Sequence, residues 1–188
     1  MRDWADELTD DERALLESLP EGYCLAASRL VDYKRIDLAL KAAEEAREPI
    51  VVAGTGPLEA EIRSQIERMS VPALLITSPS TPLLLALYQR ARVMLFPAIE
   101  DFGIMPVEAM AIGTPVIGRA VGGVSESVSH VGGGVLVSSD SPSEWAQSIR
   151  TFPDFDRAAL RDRATYFSAE RFRAEIAEIV RGVVDDAR

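Results

Sequence analysis

Six short apolar runs, separated by segments of helical periodicity, constrain the fold of this 188-residue chain more than any other feature. Each run is too short for a helix, and continuous apolar runs of this length are typical of strands buried on both faces of a parallel sheet. They occupy residues 23–27, 50–53, 73–77, 93–96, 116–118 and 135–137. The alternation predicts right-handed βαβ units, and therefore an α/β, Rossmann-like parallel sheet of about six strands with helices on both faces.

Prolines mark several of the predicted helix starts. Thr81 reads as a cap that places Pro82 at the first helical position, and Pro142 opens a later helix in the same way. Pro106 is predicted to open a short helix in the middle of the chain. Residues 155–188 carry helical periodicity alone.

The chain is predicted to consist of an N-terminal helix or linker, residues 1–22, and one domain, residues 23–188. Thr9 and Glu12 match a capping box, which indicates a helix within the first segment. In the last helix an apolar stripe needs a packing partner, and we expect part of it to be exposed. The stripe consists of Phe172, Ile176, Ile179 and Val183.

The net charge of −10 argues against a nucleic-acid groove, which needs a basic surface. One cysteine, Cys24, excludes an internal disulfide and a cysteine-based zinc cluster, and it reads as a buried structural thiol. The one histidine, His130, cannot form a metal site alone. Because no signal peptide and no membrane-spanning apolar run is visible, a cytoplasmic protein is expected.

Loops that follow the strands are the candidate ligand sites, because open α/β sheets bind ligands beyond the carboxyl ends of their strands. In the first such loop, Arg29 and Lys34 are close enough along the chain for both side chains to meet one anion. A guanidinium and an ammonium together suit a diphosphate. A solvated basic turn is an equally weighted alternative.

The second loop contains Gly54 and Gly56, followed by Pro57 at the start of a helix. Glycines there permit a ligand to approach the backbone, although a tight turn between a strand and a helix also needs them. The dinucleotide-binding pattern G-x-G-x-x-G is incomplete, because Glu59 stands at its third glycine. An enzyme that uses a nicotinamide or flavin is therefore disfavoured.

The third loop carries two carboxylates, Glu100 and Glu108, around a turn at Phe102 and Gly103. Glu108 is expected in the first turn of the helix opened by Pro106, where it either complements the helix dipole or accepts hydrogen bonds from ligand hydroxyls. Glu100 lies in the loop and is a natural acceptor for sugar hydroxyls.

The backbone N–H groups of Phe102, Gly103 and Ile104 are expected to be free to meet hydroxyl or phosphate oxygens. Paired carboxylates also occur in glycoside hydrolases, but a hydrolase of neutral sugars has no use for Arg29 and Lys34.

A further glycine-rich segment ends in Glu126, which reads either as a ligand contact or as part of a helix cap. Several other conspicuous residues are expected to be structural. His130 is expected to finish a surface helix, and Trp145, Met105 and Met110 are expected to fill space in the packing.

Together these residues resemble the carboxyl-terminal, donor-binding half of a retaining GT-B glycosyltransferase of family 4. The match begins at SRLVDYKRIDLALKAA and continues through AGTGPLEAEI. It culminates in the family's E-x7-E motif, whose two acids correspond to Glu100 and Glu108, within the stretch EDFGIMPVEAMAIGTPVIG. The resemblance implies one half of a GT-B fold and the activity of a hexosyltransferase. It favours mannose as the transferred sugar and polysaccharide biosynthesis as the process.

The resemblance also implies roles for individual residues. Arg29 and Lys34 would neutralise the donor diphosphate, and Gly54 would let the backbone approach the donor. Glu100 would hold hydroxyls of the transferred sugar, and Glu108 would bind the ribose hydroxyls. Further donor contacts would come from Phe102, Gly103, Ile104 and Glu126.

Such enzymes act on a nucleotide diphosphate sugar without a cofactor or divalent metal. Two departures from the family pattern flank the basic loop, since Ser28 and Arg35 each replace a common glycine. Residues 76–79 replace a turn near the nucleobase.

The resemblance covers a donor half, so an amino-terminal acceptor-binding domain is expected as a partner. The chain alone is expected to bind donor weakly and to transfer nothing, and a membrane association would come through the missing domain. The alternatives are a stand-alone, non-catalytic nucleotide-sugar-binding module and half of a GT-B nucleotide-sugar epimerase.

Overall fold

The computed structural model describes residues 3–186 and is built around a parallel sheet of six strands in the order β3-β2-β1-β4-β5-β6. The strands are β1 (Cys24–Ala27), β2 (Ile50–Ala53), β3 (Ala73–Ile76), β4 (Val93–Phe96), β5 (Val116–Arg119) and β6 (Gly134–Val137). All six predicted strands are present, each within one residue of its predicted bounds. The predicted fold class, a Rossmann-like sheet with helices on both faces, is confirmed.

Helices connect the strands and extend the chain at both ends. They are α1 (Asp10–Ser18), α2 (Ile36–Ala46), α3 (Glu59–Ile66), α4 (Thr81–Arg90), α5 (Ile104–Ile112), α6 (Gly123–Val131), α7 (Pro142–Arg150), α8 (Arg157–Ala164) and α9 (Ala169–Asp186). Short 3-10 turns cover Trp4–Glu7, Asp32–Lys34 and Thr165–Phe167.

The helix starts correct two of the predictions. α4 is capped by Ser80, whose hydroxyl accepts a hydrogen bond from the Leu83 N–H, so Thr81 is already helical. α5 begins at Ile104, two residues before Pro106, because Gly103 takes a left-handed conformation that turns the chain into the helix. The capping box of α1 at Thr9 and the start of α7 at Pro142 are confirmed.

Successive residues of each strand pack on opposite faces of the sheet. On one face, Leu25, Val51 and Met94 contact α1, α4, α5, α6 and α8. On the other face, Ala26 and Val52 contact α2, α3 and α7. The four inner strands are buried on both faces, which explains why they appear in the sequence as continuous apolar runs, whereas the edge strands β3 and β6 are only partly buried.

The strand order reverses between β1 and β4, which are neighbours in the sheet although β2 and β3 lie between them in sequence. In this arrangement the crossover from β1 to β2 runs to one side and that from β4 to β5 runs to the other. The loops after β1 and β4 therefore diverge and leave a crevice at the carboxyl edge, the usual ligand position in open α/β sheets.

The two ends of the chain pack differently. Leu16 of α1 is buried, and its carbonyl accepts a hydrogen bond from Arg90 at 3.1 Å. In α9 the apolar stripe is exposed, with Phe172 at 65% and Val183 at 65% of full exposure. The division into residues 1–22 and 23–188 stays a prediction. Across residues 3–186, no helix has the length and apolarity needed to cross a membrane.

Candidate functional site

The crevice between the loops after β1 and β4 is bridged by an ion pair between Lys34 and Glu100. Lys34 ends the 3-10 turn Asp32–Lys34, and Glu100 lies four residues beyond Phe96, the last residue of β4. Both side chains are mostly covered, at 11% and 20% of full exposure. Two of the three predicted catalytic residues therefore meet at the point where the strand order reverses.

Aromatic rings form one wall around the Lys34 ammonium. Its Nζ lies 5.2 Å from the centre of the Tyr33 ring and 5.5 Å from that of the Phe96 ring. Desolvation by partial burial lowers the pKa of Lys34 from its ordinary value. An adjacent anion stabilises a partly desolvated cation. Glu100 is such an anion, and an anionic ligand in the crevice would be a second one.

Two open cavities lie side by side at this edge of the sheet. One, of about 520 Å³, is lined by Lys34, Glu100 and the segment from Asp101 to Met105. The other, of about 510 Å³, is lined by Arg29, the glycines of the loop after β2 and Met105. Because Met105 borders both, Arg29 and Lys34 face neighbouring parts of one extended crevice.

Backbone donors line the first cavity at the start of α5. The N–H groups of Phe102, Gly103 and Ile104 donate no hydrogen bond within residues 3–186. Gly103 has a φ of 76°, which turns the chain so that the helix N-terminus follows the cavity wall directly. Free N–H groups together with the positive end of a helix dipole suit a hydroxyl or an anionic oxygen.

Gly54 packs against the chain itself. A Cβ built on this residue would lie 1.9 Å from the Ser28 carbonyl oxygen, and its φ of 147° disfavours other residues. The Ser28 N–H also donates to the Ala53 carbonyl at 3.0 Å. The close approach that requires glycine here is thus one between the loops after β1 and β2, and a contact with donor stays a prediction.

Glu108 lies in the second turn of α5 and not in the first, because the helix starts earlier than predicted. It shares a helix face with Ile104 and Met105, one turn back, which line the crevice. Although the residue is exposed, desolvation of its carboxyl group raises its pKa. The buried Tyr88 hydroxyl lies near it and has no hydrogen-bond partner among the described residues.

The predicted glycine-rich segment packs against the Glu100 loop. The Gly123 N–H donates to the Glu100 carbonyl at 2.8 Å, and a Cβ on Gly123 would lie 2.2 Å from the Asp101 carbonyl oxygen. This contact holds the backbone of the loop that carries Glu100. Glu126 is exposed in the first turn of α6, where a carboxylate also favours the helix dipole, so both interpretations of it remain.

An ionic cluster beside the crevice was missed by sequence reasoning. Asp140, after β6, accepts hydrogen bonds from Arg119 at 2.7 Å and from Arg35 at 2.9 Å. The signal that could have found it is Arg119, a charged residue at the end of an apolar strand run. Its partner lies 21 residues away and becomes a neighbour only because β5 and β6 pair.

Several residues expected to be structural are confirmed as such. Cys24 and Trp145 are fully buried, and burial raises the pKa of the Cys24 thiol to about 12. His130 is exposed in the last turn of α6, where its ring contacts that of Tyr166 at an angle of 38°, with the ring centres 3.7 Å apart. Met110 is buried in the core.

Among the described residues, neither the metal-ligating side chains nor the groove between α2 and α3 indicate a second functional site. Within the part of the chain that the structure describes, no group of three or more histidine, cysteine or acidic side chains could hold a metal ion. A groove of about 730 Å³ lies between α2 and α3, and Val31, Asp32 and Arg35 from the loop after β1 form one end of its lining. The convergence of charged groups with free backbone donors is at the crevice between β1 and β4.

Comparisons with known proteins agree with this fold. The family model of "Glycosyl transferases group 1" matches residues 9–167. A D-inositol 3-phosphate glycosyltransferase of Salinispora tropica is 40% identical over 89 residues, which is 46% of this chain and 18% of that protein. Its counterpart in Corynebacterium kroppenstedtii is 31% identical over 120 residues, 62% of this chain and 27% of that protein. The matched part of the chain thus spans about a fifth to a quarter of the length of these relatives.

Solved structures show the same fold at low sequence identity. A glycosyltransferase from Rickettsia africae superposes with a TM-score of 0.75 at 16% identity, covering 96% of this chain and 54% of that one. S. aureus TarM, in a complex that contains UDP, superposes with a TM-score of 0.72 at 20% identity, covering 84% and 36%. A chain that forms one half of a GT-B fold is expected to cover about a third to a half of a complete enzyme, as it does in these two superpositions. Since the family match extends over most of its length, this chain belongs to the group 1 glycosyl transferases.

Proposed function

We propose that this chain is the donor-binding half of a retaining, family 4 glycosyltransferase, which transfers a hexose from a nucleotide diphosphate sugar. The observation that carries the proposal is the Lys34–Glu100 pair, which lies at the reversal of strand order beside the free N–H groups of α5. A cation, a carboxylate and backbone donors in one crevice match the three parts of a donor's reactive end. These parts are the phosphates, the sugar hydroxyls and the leaving oxygen.

The chemistry of transfer assigns a role to each group. As the bond between sugar and phosphate breaks, negative charge grows on the leaving diphosphate, and Arg29 and Lys34 stabilise it together with the N-terminus of α5. Glu100 accepts hydrogen bonds from hydroxyls of the transferred sugar, and Glu108 accepts them from the ribose. No metal is required in this scheme, since two cations and a helix dipole supply the positive charge.

The rest of the enzyme is expected to supply the acceptor site. Aligned segments of 89 and 120 residues make up 18% and 27% of the curated relatives, which are therefore more than twice the length of this chain. The matched structures are about twice its length. We therefore propose that an acceptor-binding domain forms the other wall of the crevice, and that the chain alone binds donor without transferring the sugar. A cytoplasmic location follows from the use of nucleotide sugars.

Two candidate donors are supported by different observations. The sequence motifs favour guanosine diphosphate mannose, whereas the structures of TarM and Anabaena HepE contain UDP, which favours a uridine diphosphate sugar. The activity named for several relatives is D-inositol 3-phosphate glycosyltransferase. An inositol phosphate is therefore one acceptor to include in a transfer assay once the acceptor domain is present. Measuring which nucleoside diphosphate binds to this chain identifies the base of the donor.

The test is calorimetric titration of the chain with GDP, UDP and ADP and with their hexose conjugates. The Arg29→Ala/Lys34→Ala variant removes both proposed phosphate contacts. Its matched control is Arg63→Ala/Arg68→Ala, which removes the same charge from exposed positions on and just after α3. We expect one base to bind, and the site variant to weaken its binding by roughly a hundredfold while the control does not.

Equal affinity of the two double variants would remove Arg29 and Lys34 from the site. Absence of binding by every nucleotide, in a chain shown to be folded by its circular dichroism, would overturn donor capture by this half alone. The same titration with the amino-terminal domain restored, followed by a transfer assay, distinguishes a transferase half from a non-catalytic binding module.

A further inference from the structure

The residue after Lys34 has an unusual backbone conformation. Arg35 lies between the 3-10 turn Asp32–Lys34 and α2, with φ 54° and ψ 39°, in the left-handed region. Residues with a Cβ adopt this region rarely, and the corresponding position of the family pattern is a glycine. A side-chain contact with another part of the structure would offset the cost of this conformation at Arg35.

The side chain of Arg35 contacts two carboxylates. Its Nη1 donates to Asp140 Oδ1 at 2.9 Å, and its Nε donates to Asp37 Oδ1 at 3.3 Å. Asp37 is two residues away, in the first turn of α2, so it cannot fix Arg35 relative to the sheet. Asp140 follows β6, and it connects the turn to the far end of the sheet.

Asp140 is itself held by a buried cation. Arg119, at the end of β5, is 7% exposed and donates to Asp140 Oδ1 at 2.7 Å. Its other terminal nitrogen donates to the Ser139 carbonyl at 2.6 Å, and the Trp145 indole donates to the same carbonyl at 2.8 Å. The hydrogen bond from Arg119 lowers the pKa of Asp140 and so favours its charged carboxylate.

From this geometry we infer that Asp140, held by Arg119, is a positioning residue that fixes Arg35 and thereby directs Lys34 into the donor crevice. The inference deepens the proposed function, on which it rests for its functional meaning. Lys34 and Arg35 share a peptide bond, and the N–H groups of both donate within one turn, to Val31 and Asp32 at 3.0 Å each. Without the Asp140 contact, the left-handed residue can relax and Lys34 loses its fixed direction.

The two contacts of Asp140 have different roles. The contact with Arg119 anchors the loop after β6, and the contact with Arg35 positions the turn that carries Lys34. Arg119 also donates to the Ser139 carbonyl, which gives the loop after β6 a second contact with β5 besides that of Asp140. The Arg35 side chain is 35% exposed, so its contact with Asp140 lies outside the buried core. It acts on the turn that carries Lys34.

The spectroscopic test uses the fact that the chain has two lysines, Lys34 and Lys41. Lys34 lies near two aromatic rings, whose ring currents shift its ε-methylene signals, whereas Lys41 is exposed and pairs with Asp37 at 3.2 Å. In an NMR spectrum of the 188-residue chain labelled on lysine, Asp140→Asn is expected to move the Lys34 signal towards that of an exposed lysine. The Lys41 signal is expected to stay.

Asp37→Asn is the matched control, because it removes the same charge from the other carboxylate that contacts Arg35. We expect it to move the signal of Lys41 and to leave that of Lys34 in place. Nucleoside diphosphate affinity, measured by calorimetry, is expected to fall roughly tenfold in Asp140→Asn and to be unchanged in Asp37→Asn.

If Asp140→Asn unfolds the chain, the Arg35→Gly variant is used instead, because it leaves the Asp140–Arg119 pair intact. Arg35→Gly is also expected to move the Lys34 signal towards that of an exposed lysine. In the Arg35→Gly background, Asp140→Asn should reduce affinity no further, since the two residues act through one contact.

An unchanged Lys34 signal in folded Asp140→Asn, or in Arg35→Gly, would overturn the inference. Equal losses of affinity from Asp140→Asn in both backgrounds would also overturn it, since the effect would then bypass Arg35. If the Lys34 signal responds as expected but wild-type chain binds no nucleotide, the positioning inference stands and the proposed donor function fails.

Discussion

Lys34 and Glu100 form an ion pair that joins the loop after β1 to the loop after β4, across the crevice at which the strand order reverses. Each residue is thus the other's nearest counter-charge. An anionic ligand that enters the crevice competes with Glu100 for the Lys34 ammonium. Glu100 should therefore affect the phosphate part and the sugar part of a donor in opposite directions.

Substitution of Glu100 should separate these two effects. In Glu100→Gln the competing anion is gone, so we expect the affinity for a nucleoside diphosphate without sugar to rise about threefold to tenfold. The additional affinity contributed by the sugar should fall by roughly tenfold, because a charged acceptor for its hydroxyls is lost. Calorimetry with the nucleotide and with its hexose conjugate measures both.

Asp101→Asn is the control for Glu100→Gln, since Asp101 is an exposed carboxylate on the same loop that also lines the cavity. It should change the two affinities little. Parallel loss of both affinities in Glu100→Gln would contradict the competition and indicate that the variant only disorders the loop.

Much of the fold was predictable because burial on both faces leaves a direct signature in the sequence. Each strand of the sheet, from Cys24 in β1 to Val137 in β6, lies in an apolar run without polar interruption, apart from Arg119. The start of α5 was misplaced for a physical reason. Gly103 caps that helix through its backbone conformation and has no side chain to mark the cap, so Pro106 was the visible signal.

The candidate site was only partly predictable. Lys34 and Glu100 each follow a strand, and topology alone brings such loops to one edge. The Arg119–Asp140–Arg35 cluster depends on which strands are neighbours and on side-chain direction, which the spacing of these residues does not encode. For Gly54 the sequence left both ligand approach and a tight turn as reasons for glycine, and it could not reveal that the Ser28 carbonyl occupies the space beside this residue.

Gly54→Ala should destabilise the fold strongly. The new Cβ would overlap the Ser28 carbonyl oxygen, and the backbone φ of 147° is unfavourable for alanine. We expect the free energy of unfolding in urea to fall by about 3 kcal/mol. The matched control is Gly132→Ala, with a φ of 60° and no heavy atom within 4 Å, which should lower it by about 1 kcal/mol. Equal losses would show that backbone strain, and not the contact with Ser28, requires Gly54.

The raised pKa of Glu108 predicts a dependence of stability on pH. A carboxyl group whose pKa is higher in the folded than in the unfolded chain binds its proton more tightly when folded. Stability therefore falls as the pH rises from the ordinary value of 4.5 through the raised pKa of Glu108. Glu108→Gln should match wild type below this window and be more stable above it.

Urea unfolding of wild type and Glu108→Gln at several pH values measures this difference. Glu67→Gln, which removes a carboxylate from an exposed position after α3, is the control for charge. If Glu108 binds the ribose, the same Glu108→Gln variant should bind nucleotide about tenfold more weakly, so that stability and affinity change in opposite directions. A stability difference that does not vary with pH would contradict the desolvation of Glu108.

The exposed face of α9 should contribute little to the stability of this chain. Phe172 and Ile179 are 65% and 61% exposed, so a Phe172→Gln/Ile179→Gln variant is expected to change the free energy of unfolding by less than about 1 kcal/mol. In contrast, Leu160→Ala, at a fully buried position of the neighbouring helix α8, should cost about 3 kcal/mol. Urea denaturation followed by circular dichroism compares the two, and a loss in the α9 variant as large as that in Leu160→Ala would mean that the helix packs against the chain in solution.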